Sequence, residues 1–527
     1  MDNPYRVRFR SLALKWVGIF LVFLVAGCGG GGGSGDDGQP PPDDEQPPPV
    51  KLPADESLVL KTANTADLRG VEQYYGDVYS GIYTASGGVS IDVWVSLRES
   101  SQEIGAVKRL GVIIQGGTGS KVTGLLDVDE GVHTVWVAIN YRGSNITDIT
   151  AEKECPPGQD FVSCLKSHNS FSKINPRLNA HDANSVIRMF AEDEDIMVNG
   201  QKKKASDFVP LNTILAPVNL YTSSFGGVIV GYMLAEDNPP RLHNVFFEQV
   251  TAPREHPISD GLHNAARMMD ILFSTCEKDP SCIAAYPDIR VNFRRFMDDH
   301  HSSPVQINGE MVYAGGVFDR IVHIIEEERE VGRAIRYIGD IANTHVRGNS
   351  AITTGYGPRD YRSMSGEQQR ETYGLPDLDG DEDRWSAFPF PGAGRFFPGI
   401  TNRTGMICSF GINRSEDPDS LSLYDQVGNQ ELPGDSDGMK SAFGYGFLVS
   451  YKTYLTVCPQ LKEQTGGLQL PKVSDIEAQN VIVYRGGLDI KHYFSEDPQQ
   501  DEIMAYFSDS VNHRRVITHR FLGQQLG

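Results

Sequence analysis

None of the 7 cysteines in this 527-residue chain forms a Cys-x-x-Cys pair, the spacing that most structural zinc sites are built on. Positive charge is also short. There are 48 Lys and Arg against 69 Asp and Glu, a formal net charge of -21, which argues against nucleic acid, because binding there is dominated by cationic contacts to phosphate. The apolar run Trp16 to Val25 is too short for a comfortable membrane span. The glycine loop Gln115-Gly-Gly-Thr-Gly-Ser120 lacks the Lys-Ser/Thr ending of a phosphate cradle. The acidic stretch Asp377 to Asp383 has its glycine at position 4 and Phe388 in place of the closing glutamate, so it does not fit an EF-hand loop. His300 and His301 adjoin Asp298 and Asp299, but neighbours along a helix point in different directions and make a poor metal site. No metal and no cofactor is expected.

The N-terminus carries a basic stretch, Arg6, Arg8, Arg10 and Lys15, then the apolar run, then Leu24-Val-Ala-Gly-Cys28. This is the layout of a signal peptide over residues 1–27. It resembles the bacterial lipobox, which implies a lipidated Cys28 and attachment to the cell envelope. The lack of aspartate after Cys28 implies the outer rather than the inner membrane. Residues 28–55 read as a tether, with Gly29 to Gly33 flexible and Pro40 to Pro42 and Pro47 to Pro49 stiff. In an exported chain the six remaining cysteines are expected to form disulfides. Cys155–Cys164 and Cys276–Cys282 are close in sequence, which leaves Cys408–Cys458.

Short apolar runs rich in β-branched residues, bounded by turn signals, predict buried strands at Leu110 to Ile114, Val135 to Ile139, Val218 to Tyr221, His243 to Phe247 and Val481 to Tyr484. Helical spacing appears at Asn179 to Phe190, after Phe225, at Ala265 to Phe273 and at Phe318 to Arg336. Alternating strands and helices predict an α/β fold with a mainly parallel sheet covered on both faces. We divide it into a core over residues 56–250 and 471–527 and a mostly helical or irregular cap insertion over 251–470. Such a cap would sit over the strand ends, where ligands bind in open α/β sheets.

Within this frame, Val218-Asn-Leu-Tyr-Thr-Ser-Ser-Phe-Gly-Gly-Val-Ile-Val-Gly231 has the layout of a nucleophile elbow, a serine on a tight strand-to-helix turn. The turn requires small residues two positions either side of the nucleophile. Ser224, between Thr222 and Gly226, meets this; Ser223, between Tyr221 and Phe225, does not. A serine needs a base and an acid that orients it. Asp489, in Arg485-Gly-Gly-Leu-Asp489 just past the predicted strand Val481 to Tyr484, is the candidate acid, with Glu248 as the alternative. The backbone N–H groups of Phe225 and of the Gly116-Gly117 loop are the candidate oxyanion hole.

These segments together resemble the proline iminopeptidase and tripeptidyl aminopeptidase branch of the α/β-hydrolases. Ile114-Gln-Gly-Gly-Thr-Gly119 is similar to its Gly-Gly-Pro-Gly loop, Asn140-Tyr-Arg-Gly143 to its Asp-x-Arg-Gly, Tyr221 to Gly227 to its elbow, and Gly486-Gly-Leu-Asp489 to its Gly-x-x-Asp. Cys276-Glu-Lys-Asp-Pro-Ser-Cys282 with Tyr286-Pro287 resembles a disulfide-bearing piece of its cap. The resemblance implies a metal-free serine hydrolase acting on peptides near a free N-terminus or on small esters. The chain departs from the pattern at Thr118 and Asn140, and above all at the base. Aligning the last glycine puts Gly523-Gln524 where Gly-His is expected, and glutamine does not titrate near neutral pH. The resemblance implies a last strand at Arg515 to Thr518; His519 at its end is the candidate base, whereas His513 precedes that strand and His492 precedes the final helix and strand. Two readings remain: a serine hydrolase with Ser224, His519 and Asp489, or a catalytically impaired, surface-tethered binding protein with Gln524 in the base position.

Overall fold

Short runs of Val, Ile and Leu become strands here because both of their faces can be covered by helices. The computed structural model describes residues 56–63, 76–98, 109–114, 116, 134–144, 171–208, 217–253, 259–300, 303–312, 314–326, 330–348, 351–354, 404–412, 457–486, 501–508, 511 and 513–519. Cys28, the tether, Gly117, Cys155–Cys164, His301, Asp377 to Asp383, Asp489, His492 and Gln524 lie outside them.

The strands are β1 Ser57–Thr62, β2 Gly76–Ala85, β3 Val89–Arg98, β4 Arg109–Ile114, β5 Thr134–Ile139, β6 Asp195–Val198, β7 Gln201–Lys204, β8 Val218–Ser223, β9 Leu242–Glu248, β10 Val305–Ile307, β11 Glu310–Val312, β12 Ala351–Ile352, β13 Asn480–Gly486 and β14 His513–His519. Eleven of them form one sheet in the order β14-β13-β9-β8-β4-β5-β3-β2-β1-β6-β7. Pairing is parallel from β14 to β5 and antiparallel from β5 through β3 and β2 to β1. The chain runs from β4 to β5 on one side and then crosses to β8 on the other side of β4. The crevice above β4 and β8 is therefore a topological switch point, the place where α/β sheets bind ligands.

The helices are α1 Pro176–Ala191, α2 Ala205–Phe208, α3 Gly226–Leu234, α4 Ser259–Lys278, α5 Pro280–Ala285, α6 Ile289–His300, α7 Ala314–Glu326, α8 Val331–Val346 and α9 Lys462–Thr465. Asn175 caps α1, accepting from Leu178 N–H at 2.9 Å. Every residue of α3 is buried, as its all-apolar sequence requires. One core cluster joins the central strands to α1 and α3. A second, built on Phe273, Phe293, Phe296, Phe318 and Ile338, joins α4, α6, α7 and α8 with β10 and β12.

One expectation for the insertion needs correction. The stretch Phe318 to Arg336 is two helices, because Glu330 leaves the helical region (φ -115°, ψ 81°) and the chain restarts at Val331. The described part of the insertion is mostly helical and also holds a small sheet. Val305 to Val312 folds into a hairpin around Asn308-Gly309 (φ 51° and 89°), and β12 extends it to a three-stranded sheet. Asn-Gly suits such turns because both positions need positive φ. The same pair, Asn199-Gly200, turns β6 into β7.

Candidate active site

β8 ends at Ser223 and α3 begins at Gly226, so the reversal is left to Ser224 and Phe225. Ser224 has φ +47°, in the left-handed region, a strain of about 1–3 kcal/mol for a residue with a side chain. Its backbone is held from three sides. Its N–H donates to the Glu248 carbonyl (3.1 Å), and its carbonyl accepts from Gly227 (3.1 Å) and Thr251 (2.9 Å). Glu248 ends β9 and Thr251 belongs to the strap that follows it, so the elbow is fastened to the neighbouring strand as well as to its own helix.

Tight backbone approach makes small residues necessary. A Cβ on Gly116 would lie 2.4 Å from Ser224 Cβ, one on Gly227 2.5 Å from the Thr251 carbonyl oxygen, and one on Gly231 2.3 Å from Pro253 Cγ. The sequence points to Thr222 and Gly226 as the small neighbours. The structure adds Gly116, Gly227 and Gly231, of which Gly227 could have been suspected from the Gly-Gly pair. Thr222 is fully buried, and among the described residues its hydroxyl has no hydrogen-bond partner.

Gly116 sits at the end of β4, beside the elbow, where an oxyanion donor belongs. Its N–H donates to the Ser223 hydroxyl at 3.2 Å, a partner that sequence reasoning did not foresee. The Phe225 N–H stands at the N-terminal end of α3, where peptide dipoles favour negative charge. The Phe225 ring packs edge-on against Phe410 at 5.4 Å. Phe410 lies in the π-helical turn Ile407–Ile412, which the disulfide Cys408–Cys458 fastens down. This stretch packs with the sheet core: Met406 accepts from the Asn179 side chain at 3.4 Å.

The strand register places the other candidates. Ser223 pairs with Glu248, Glu248 with Tyr484, and Tyr484 with Ile517. His519 pairs with Gly486 at the end of β14, which is the elbow's end of the sheet. His513 pairs with Asn480 at the opposite end and is exposed. β14 lies three strands from β8, a lateral separation of about 14 Å at the usual strand spacing. A base on β14 therefore reaches Ser224 only if the chain turns inward at the strand's end. Asp489 follows three residues after Gly486.

Glu248 is held on the sheet. The Tyr221 hydroxyl donates to its Oε2, and burial together with the Glu248 charge pushes the Tyr221 hydroxyl's pKa up. Tyr221 stacks on Phe246 at 5.5 Å. Arg142, in Asn140-Tyr-Arg-Gly143, makes a buried fork to Asp182 on α1 (Nε to Oδ2 2.5 Å, Nη2 to Oδ1 2.7 Å), and its N–H donates to the Asn179 side chain at 2.7 Å. That motif thus fixes α1 over the sheet. Among the described residues no group of His, Cys, Asp or Glu could hold a metal ion, and no helix is long and apolar enough to cross a membrane.

No family model matches the chain, and no curated protein matches it. Solved structures do. Acetyl xylan esterase 1 from Thermoanaerobacterium is 15% identical, with a TM-score of 0.23, covering 43% of this chain and 58% of that one. The acetyl xylan esterase from Paenibacillus matches over 53% of its own length, so the chain spans little more than half of these two. Tannin acyl hydrolase from Aspergillus niger is 11% identical with a TM-score of 0.30, covering 89% of this chain and 78% of that one. A potato epoxide hydrolase variant is 11% identical with a TM-score of 0.28, covering 85% and 93%. The sheet order and the elbow after β8 are those of the α/β-hydrolase fold.

Proposed function

We propose that the chain is a serine hydrolase that cleaves peptide bonds, in the manner of an aminopeptidase, or small ester bonds through an acyl-enzyme on Ser224. The observation that carries this reading is the left-handed Ser224 (φ +47°) at the switch point, with Gly116 packed against its Cβ. A strained conformation at the crevice of an α/β sheet is a cost that an ordinary strand-to-helix turn avoids.

In this reading the Ser224 Oγ attacks the substrate carbonyl carbon and its proton passes to the base. The N–H groups of Phe225 and the Gly116-Gly117 loop take up the developing oxyanion. The base returns the proton to the leaving amine or alcohol, and water then releases the acyl group. His519 is the proposed base and Asp489 its orienter. No cofactor is invoked. The proposal includes the lipid anchor at Cys28 and an envelope location, with the tether holding the hydrolase clear of the lipid.

A second reading, a tethered binding protein without turnover, draws on the separation between β14 and β8 and on Gln524. One experiment tests both. Labelling by a fluorophosphonate probe is expected in the wild type and absent in Ser224→Ala; labelling that survives the substitution overturns the nucleophile. His519→Gln is expected to reduce acyl transfer by orders of magnitude. If it changes nothing while Gln524→His raises the rate, the binding-protein reading stands. Aminoacyl, tripeptidyl and short acyl ester chromogenic substrates then fix the substrate class.

A further inference from the structure

We propose that Arg485 is a positioning residue for Ser224, acting through the strap that follows β9. The inference rests on the reading of Ser224 as nucleophile. Arg485 is 1% exposed, and a guanidinium is kept out of water only where its donors are matched. Its Nε donates to Asp501 Oδ2 at 2.9 Å and its Nη2 to Asp501 Oδ1 at 3.4 Å, and Asp501 is itself 2% exposed. Its Nη1 donates to the carbonyl of Val250.

These partners belong to three segments that carry the site. Val250 lies in the strap whose neighbours hold the elbow: Glu248 accepts from Ser224 N–H, and Thr251 N–H donates to the Ser224 carbonyl. The strap is itself under strain, with Gln249 at φ +46° and its N–H donating to Tyr484 at 2.8 Å. Arg485 is on β13, the strand that leads to Asp489. Asp501 accepts from the N–H groups of Ile503 and Met504, holding the turn that leads into β14 and His519. One buried cation therefore ties the strap that holds Ser224 to β13 and to the turn that leads into β14.

The test uses the full chain with two variants, Arg485→Lys and the double replacement Arg485→Met with Asp501→Leu. Swapping a buried ion pair for apolar groups of similar volume commonly preserves folding, whereas removing one partner does not. The expected result is a double variant that melts near the wild type but labels with fluorophosphonate roughly 10- to 100-fold more slowly, the cost of a misplaced reacting group. The loss should fall on the maximal labelling rate and leave probe affinity unchanged. A folded variant that labels at the wild-type rate overturns the proposal. If the double variant fails to fold, Arg485→Lys decides on the same criterion. Hydrogen exchange at residues 224–227 and 249–251 reads the strap without turnover. Exchange at least about tenfold faster in the folded variant supports the proposal, and unchanged protection overturns it. If the wild type itself is not labelled, the Ser224 reading fails, while exchange still decides the role of Arg485.

Discussion

A glycine at the elbow is defined by what stands opposite it. Gly227 faces the Thr251 carbonyl and Val250 Cβ, and Gly116 faces Ser224 Cβ and the Ser223 carbonyl. These are backbone atoms or the first atoms of short side chains, which cannot swing away. Gly227→Ala and Gly116→Ala are each expected to destabilise by about 1–3 kcal/mol, as overpacking of a close-packed interior does. Thermal or urea unfolding measures that loss. Gly116→Ala should also slow fluorophosphonate labelling more than Gly227→Ala does, because it shifts the N–H proposed to meet the oxyanion. Equal labelling of the two variants at matched stability would count against the Gly116 role. Ser224 itself was legible in the sequence, since small neighbours and a strand-to-helix switch can be read from residue types. The Ser223–Gly116 bond was not, because it joins residues 107 apart through a contact that no local pattern encodes.

The two described disulfides close loops of very different length. Cys408–Cys458 spans 50 residues and both sulfurs are buried, whereas Cys276–Cys282 spans 6. Loop-closure entropy predicts a loss of about 4 kcal/mol for opening the first and about 2 kcal/mol for the second. Chemical denaturation of Cys408→Ser/Cys458→Ser and Cys276→Ser/Cys282→Ser should rank them in that order. The long bridge also holds Phe410 against Phe225, so its loss should slow Ser224 labelling and loss of the short bridge should not. Cys276–Cys282 could be anticipated from the cysteine spacing and Cys408–Cys458 by elimination, and β4, β5, β8, β9 and β13 from their short apolar runs; β14, whose residues 513–517 are exposed or half-buried, could be anticipated only from the resemblance. The β2–β3 hairpin was missed, since its strands alternate and carry polar residues on one face. The Asn-Gly turns at 199–200 and 308–309 did hold a readable signal. Its weight was lost because the flanking strands are only three or four residues long.

Across the whole molecule, a polar network joins the beginning of the described chain to α1 and the end of α3. His181 on α1 stands between Glu236, just beyond α3 (Nδ1 to Oε1 3.3 Å), and Glu56, just before β1 (Nε2 to Oε1 3.8 Å). The hydrogen bond to Glu236 and then the contact with Glu56 raise the His181 pKa to about 9, against the opposing effect of burial. Burial alone would raise both carboxyls, but their polar partners, His181 foremost, outweigh it and hold each below the ordinary value. Nothing in the sequence reading pointed to this trio, whose members lie on separate elements and meet only once α1 and α3 pack. The sign of its pH dependence follows from the shifts. A group with a raised folded pKa binds its proton more tightly when folded, so its stabilisation is complete below 6.5 and is lost as pH rises through about 9. The carboxylates contribute above 4.5 and lose that contribution as pH falls through their lowered values. His181→Gln is therefore expected to destabilise most near pH 6, less at pH 8, and hardly at all at pH 10. The effect should be modest, because His181 is more than a third exposed and solvent screens it. Urea midpoints of wild type and variant at those three pH values measure it. A gap that stays constant across them would show that His181 acts through packing and not through its charge.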